Sequence, residues 1–132
     1  KGGWRKNKAW PYWKQLAKAI DCYQFDIGER VTKTIHTSSL RESLAVLENA
    51  RLLITTEGGL HHAAAALGVP CITIFTGFTH PAQLGYDDQT NLRADFSPPC
   101  GSLSICNHCA EMSAKVSVEE VYEESQRYLV AR

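Results

Sequence analysis

Two short apolar runs, Leu52-Leu53-Ile54-Thr55-Thr56 and Cys71-Ile72-Thr73-Ile74-Phe75, constrain this chain more than any other feature. Neither alternates polar with apolar residues, the pattern of a parallel strand covered on both faces. Between them lies Leu60-His61-His62-Ala63-Ala64-Ala65-Ala66-Leu67, a strong helix former, followed by Gly68 as a C-cap and Pro70 just beyond. Strand, helix and strand at this spacing predict a right-handed parallel crossover. The expected class is α/β, a Rossmann-like doubly wound parallel sheet with helices on both faces.

The flanking sequence extends the alternation. Pro11 at an early helical position, then Trp13, Leu16, Ala17 and Ile20, predict a helix over 10–20. Tyr23, Phe25 and Ile27 alternate before Gly28 and predict a strand over 22–27. Ser39 and Glu42 fit a capping box, with Leu40, Leu44 and Leu47 on one face of a helix ending near Asn49. Residues 82–112 have a loop-like texture, with a short strand expected near 91–95. A second capping box, Ser117 with Glu120, opens a closing helix carrying Val118, Val121, Tyr122, Ser125 and Leu129.

The 132 residues fit one domain, 1–132. Fourteen basic and fourteen acidic side chains leave no basic stripe, so nucleic acid is not an expected partner. No apolar run approaches the roughly 20 residues of a spanning helix, so no transmembrane segment is expected. The start, Lys1-Gly2-Gly3-Trp4-Arg5, has no initiating Met and no apolar core of a secretory signal, and reads as the interior of a longer chain. Five cysteines, two of them (Cys22, Cys71) in strand-like runs, suit buried thiols in a reducing compartment.

In a doubly wound fold, ligands bind where strand C-termini meet helix N-termini. Glu57-Gly58-Gly59-Leu60-His61-His62 occupies such a turn: the glycines allow close backbone approach, and the helix start offers free N–H groups to a phosphate. A tight turn with packing histidines is the plain alternative. The loop is neither a Walker nor a dinucleotide motif. Lys8, with Arg5 and Lys6, could neutralise phosphate in the same crevice, or be a solvated basic end. His36 and His80 read as surface or packing residues, His80 being the second choice after His61. Trp4, Trp10 and Trp13 could stack on a base, and the spacing of the last two favours the core.

Lys8-Ala9-Trp10-Pro11, then Glu57-Gly58-Gly59-Leu60-His61-His62 running through the alanines to Gly68-Val69-Pro70, then a strand ending near Phe75, resemble the C-terminal half of glycosyltransferase family 9, the ADP-heptose:lipopolysaccharide heptosyltransferases. The resemblance runs from Lys8 to about Val121. Glu57, Gly59 and His62 match the family's acidic, glycine and histidine positions, although the family usually has Asp where this chain has Glu57. After Phe75 the family often has Gly-Pro-Thr, and this chain has Thr76-Gly77-Phe78-Thr79-His80-Pro81. The resemblance implies a GT-B fold, whose C-terminal half holds a nucleotide diphosphate sugar, ADP-heptose being the plausible donor. It implies that Lys8 contacts the diphosphate and that the backbone of Gly58, Gly59 and Leu60 cradles it, with Glu57, His61 and His62 completing the substrate site. Inversion without a tightly bound metal or other cofactor is implied, and so are a lipid-linked saccharide acceptor and a catalytic base carried by a separate N-terminal domain. The location implied is cytoplasmic, open to peripheral association with the inner membrane.

Cys100, Cys106, His108 and Cys109 could form a zinc ligand set, and Cys106-x-x-Cys109 has a usual spacing. Cys100 stands apart, no second pair follows, and related enzymes carry cysteines here as ordinary sequence, so no metal is assigned. A disulfide is the less expected state in a cytosolic protein. Two other classes stay open: a non-catalytic nucleotide-binding module that keeps the phosphate loop, and a zinc-stabilised interaction domain built on the cysteines.

Overall fold

The computed structural model describes residues 3–130, with side chains from residue 6 onward. A 3-10 helix, Gly3–Lys8, precedes α1 (Trp13–Ala19), β1 (Tyr23–Phe25), β2 (Lys33–Ile35), α2 (Leu40–Glu48) and β3 (Leu53–Thr56). Then come α3 (Gly59–Leu67), β4 (Cys71–Ile74), α4 (Pro81–Leu84), β5 (Thr90–Leu92), α5 (Asn107–Ala114) and α6 (Val118–Leu129). Every strand pairing is parallel, as the apolar runs predict. The strands divide between two sheets, β1-β2 and β3-β4-β5, where the sequence suggests one.

Strand β4 is the centre of the larger sheet: Leu53 pairs with Cys71 on one side and Ile72 with Thr90 on the other. Its four residues are all fully buried, because both faces are covered. Ile72 and Ile74 face a cluster with Trp10, Leu16, Val116 and Val121, which brings in α1 and α6. Cys71 faces the opposite cluster, with Leu47 from α2, Ala64 from α3 and Val69. Burial pushes the Cys71 thiol up to about 11, keeping it protonated at neutral pH. Fully burying an Ile or Leu side chain is worth about 1.5–3 kcal/mol, so these two clusters dominate the stability of the layered unit.

Helix ends follow the sequence signals. Ser39 Oγ accepts from Glu42 N–H at 3.1 Å, and Ser117 Oγ accepts from Glu120 N–H at 3.0 Å. The Glu42 carboxylate turns to Ser38, accepting from its N–H at 3.0 Å and its hydroxyl at 2.6 Å, so the box closes one residue earlier than expected. Gly68 ends α3 in the left-handed region at φ 72°, a conformation that favours glycine.

Several expectations are corrected. Helix α1 starts at Trp13, since Trp10 is turned into the core, where its Nε1–H donates to the Val116 carbonyl at 2.9 Å. Trp13 packs partly buried beside it, and the Trp4 side chain lies outside the described residues. Strand β1 is shorter than 22–27, leaving Ile27 exposed, and Cys22 is only half-buried. Leu40 is 75% exposed and does not share the buried face of Leu47. Strand β5 sits at 90–92, and the 82–112 stretch contains α5 as well. Strand β2 has one apolar residue and no local signal. Its approach to β1 is set by Gln24, whose Oε1 accepts from Val31 N–H at 2.6 Å and Thr32 N–H at 2.9 Å. Among the described residues, no helix is long and apolar enough to cross a membrane.

Replacing Trp10 with Phe keeps the ring and removes the indole donor, stranding the buried Val116 carbonyl. The expected loss is about 1–3 kcal/mol in chemical denaturation with an unchanged m-value; a loss below about 0.5 kcal/mol would mean that this bond does not hold the N-terminal segment on the core.

Candidate functional site

Strand β3 ends at Thr56, and Glu57 through Gly59 turn the chain into α3. Gly58 is extended at φ 163°, a conformation open to any residue, so no backbone strain calls for glycine here. A Cβ placed on Gly58 or Gly59 would meet nothing within 4 Å. Bare backbone therefore borders open space where a helix begins without a side-chain hydroxyl or carboxylate cap, and the first-turn amides of such a helix have no partner within the helix. With the dipole's positive end, this is an anion-accepting arrangement.

Lys8 arrives at the same edge from the far end of the sequence. Its Nζ lies 3.2 Å from Glu57 Oε1 and 3.3 Å from Oε2, and 5.4 Å from the centre of the Phe78 ring. The Glu57 side chain is 6% exposed and that of Lys8 24%. Thr79 Oγ1 donates to Glu57 Oε1 at 2.9 Å. Glu57 is thus a buried carboxylate compensated by one cation and one hydroxyl, which fixes the ammonium beside the glycine turn. Removing one partner of a buried pair leaves an uncompensated charge, a cost of about 3 kcal/mol.

The two histidines are not equivalent. His61 is fully buried, its Nε2 2.9 Å from the Leu84 carbonyl and its Nδ1 2.9 Å from the Gly58 nitrogen and 2.7 Å from the Gly58 carbonyl oxygen. Both ring nitrogens are thus engaged by backbone of the turn and of α4, so His61 braces the turn internally. His62 is half-buried, with Nδ1 2.7 Å from the Tyr86 hydroxyl. Burial, then the neighbouring His61, hold the His62 imidazole below its ordinary range, against the pull of Glu57. Leu60 packs its side chain, partly buried, against the Leu47 and Ala64 cluster and offers the open side only its backbone. Glu57, His61 and His62 have ligand-type atoms within 4.8 Å of one another. Glu57 is already bound to Lys8 and Thr79, and His61 to backbone, which accounts for the grouping without a metal.

Of the sequence candidates, Lys8, Glu57, Gly58, Gly59, His61 and His62 converge on this one edge. His80 instead caps α4, its Nδ1 accepting from Ala82 N–H at 3.0 Å. Exposed His36 pairs instead with Asp26 at 2.9 Å. Thr79 and Tyr86 belong to the site and carry no local signature. Arg93 is a further unanticipated element: Nε donates to the carbonyls of Thr76 at 3.0 Å and Thr79 at 3.1 Å, and Nη1 to those of Asp95 at 2.7 Å and Ser97 at 2.8 Å. Its side chain is 2% exposed and clamps the loop that presents Thr79.

Parallel strands layered by helices, with a glycine turn and a fixed lysine at the C-terminal edge, make this a Rossmann-like α/β domain. The profile of glycosyltransferase family 9 (heptosyltransferase) matches residues 31–98, just over half of the chain, and the chain belongs to that family. The matched segment contains the whole turn from Glu57 to His62 and leaves Lys8 and the Cys100, Cys106 and Cys109 cluster outside. Neither curated proteins nor solved structures give a match.

Because the folded state holds His62 below its ordinary value, its contribution to stability is complete above about pH 6.5, the unfolded value, and is lost as pH falls through the lower folded value. Melting temperatures between pH 7.5 and 5 should therefore drop more steeply for the natural protein than for His62→Gln; parallel curves would remove His62 from the acid sensitivity.

Proposed function

We propose that this chain is the donor-binding, Rossmann-like half of a GT-B glycosyltransferase. It would hold a nucleotide diphosphate sugar, with ADP-heptose as the donor, for inverting transfer to a lipopolysaccharide or related surface-glycan acceptor. The observation that carries the reading is the placement of Lys8 by Glu57 at the mouth of the Gly58-Gly59 turn.

An acceptor hydroxyl oxygen attacks the anomeric carbon from the face opposite the nucleotide. The C–O bond to the diphosphate breaks, and the electron pair leaves on the phosphate oxygen. The hydroxyl proton passes to a base, which we assign to the acceptor-binding domain. On this side of the cleft the chemistry is stabilisation of a departing anion, where preorganised donors act most strongly. Lys8 supplies the positive charge, and the amides of Gly59 and Leu60 supply the dipoles, the Gly58 N–H being engaged by His61. Glu57 and Thr79 keep Lys8 in place, and His61 keeps the turn in shape. Glu57 has one methylene more than the Asp usual in the family, which lengthens the reach from β3 to Lys8.

Calorimetry with ADP, UDP and their sugars, in metal-free buffer and again with magnesium, tests the reading. Lys8→Ala should weaken diphosphate binding by about 1.5–3 kcal/mol, roughly 10- to 150-fold. The same variant strands Glu57, so Lys8→Ala/Glu57→Gln is needed beside it: the double variant should regain stability and not affinity. Recovery of both would make Lys8 a purely structural partner of Glu57. Unchanged affinity in Lys8→Ala would overturn the assignment.

A further inference from the structure

Cys100, in the loop before α5, meets Cys106 and Cys109 at the amino end of α5: the three sulfurs are all within 4.8 Å of one another, with Cys100 Sγ and Cys106 Sγ 3.5 Å apart. We propose that these three thiols form a zinc site, independent of the donor-binding reading, with solvent in the fourth position. Tetrahedral zinc with Zn–S bonds near 2.3 Å requires sulfurs about 3.8 Å apart, so the trio needs only small adjustments to receive the ion. A disulfide would require one pair to close to about 2.05 Å.

The loop is held in this shape by bonds that do not involve sulfur. Cys100 N–H donates to the Gly77 carbonyl at 2.8 Å, and Cys106 N–H to Asn7 Oδ1 at 2.8 Å. Asn7, fully buried, also donates through Nδ2 to the carbonyls of Ser102 at 3.1 Å and Ser104 at 2.8 Å. Cys109 is buried in α5, whose amino end is capped by Cys106, and Cys100 is exposed. A site with one buried, one half-buried and one exposed ligand leaves an entry path and a solvent-facing fourth position. His108 does not join the group, although it lies between two of its members. Three thiolates favour zinc over the oxygen-seeking magnesium and calcium. As each Zn–S bond forms, the thiol proton passes to solvent. Asn7, the neighbour of Lys8, is bonded to this same loop, so an ion that orders the loop would also order the segment that ends in Lys8.

The test uses the protein freed of metal by a chelator under reducing conditions and titrated with cobalt, then zinc. Expected are a sulfur-to-cobalt charge-transfer band saturating at one equivalent, its displacement by zinc, and a zinc-dependent rise in melting temperature. Cys100→Ser, at an exposed position that leaves the core intact, should lose the band and the rise. Cys22→Ser and His108→Ala should keep both. Absence of the band in the natural protein, or a band that survives Cys100→Ser, would overturn the proposal; so would loss of two titratable thiols to a disulfide that zinc does not prevent.

Discussion

The structure depends on burying β4 from both sides. Cys71, Ile72, Thr73 and Ile74 have no solvated face, so the strand is stable only if one helical layer, α1 with α6, covers Ile72 and Ile74 while another, α2 with α3, covers Cys71. The strands β3, β4 and β5 run parallel, as helical crossovers that cover both faces allow, with their carboxyl ends at one edge. That edge is where Thr56 gives way to Glu57 and where the loop after β4 delivers Thr79. Glu57 is buried there, and a buried carboxylate demands compensation. Lys8 and Thr79 supply it, so hydrophobic layering leads directly to a fixed cation beside a bare helix start.

The site is thus assembled from three distant segments by one charge. The Trp10 indole secures the N-terminal segment to Val116, Asn7 secures it to the cysteine loop, and Lys8 at its end meets Glu57. Arg93 does the same for the other wall, gathering four carbonyls around a buried guanidinium. These long-range polar bonds fix positions that the short loops could not hold alone. On the proposed function, a cation already immobilised loses little entropy when a diphosphate binds.

How far the fold could be read from sequence follows from the range of the forces involved. The β3–α3–β4 unit, the C-cap at Gly68 and the N-caps at Ser39 and Ser117 rest on local patterns, and they appear within a residue or so of their expected places. Strand β2 and helix α5 rest on partners far along the chain: Gln24 for the β1–β2 turn, Asn7 for the approach to Cys106. No local pattern announces them. In the site, Gly58, Gly59 and the two histidines were legible as a strand-to-helix turn. The division of labour between His61, internal and fully bonded, and His62, half-exposed against Tyr86, was not, because it depends on where α4 and Tyr86 come to rest. Thr79 and Arg93 were invisible for the same reason.

The central claim is that the Gly58–Leu60 backbone, with Lys8 beside it, receives a diphosphate. Amide resonances of the isotopically labelled protein, followed during parallel titrations with ADP and with adenosine, test this most directly. The account predicts that Gly58, Gly59, Leu60 and the Lys8 segment shift with ADP and stay still with adenosine. Equal shifts with both ligands, or ADP-induced shifts confined to residues remote from the β3–α3 turn, would contradict it.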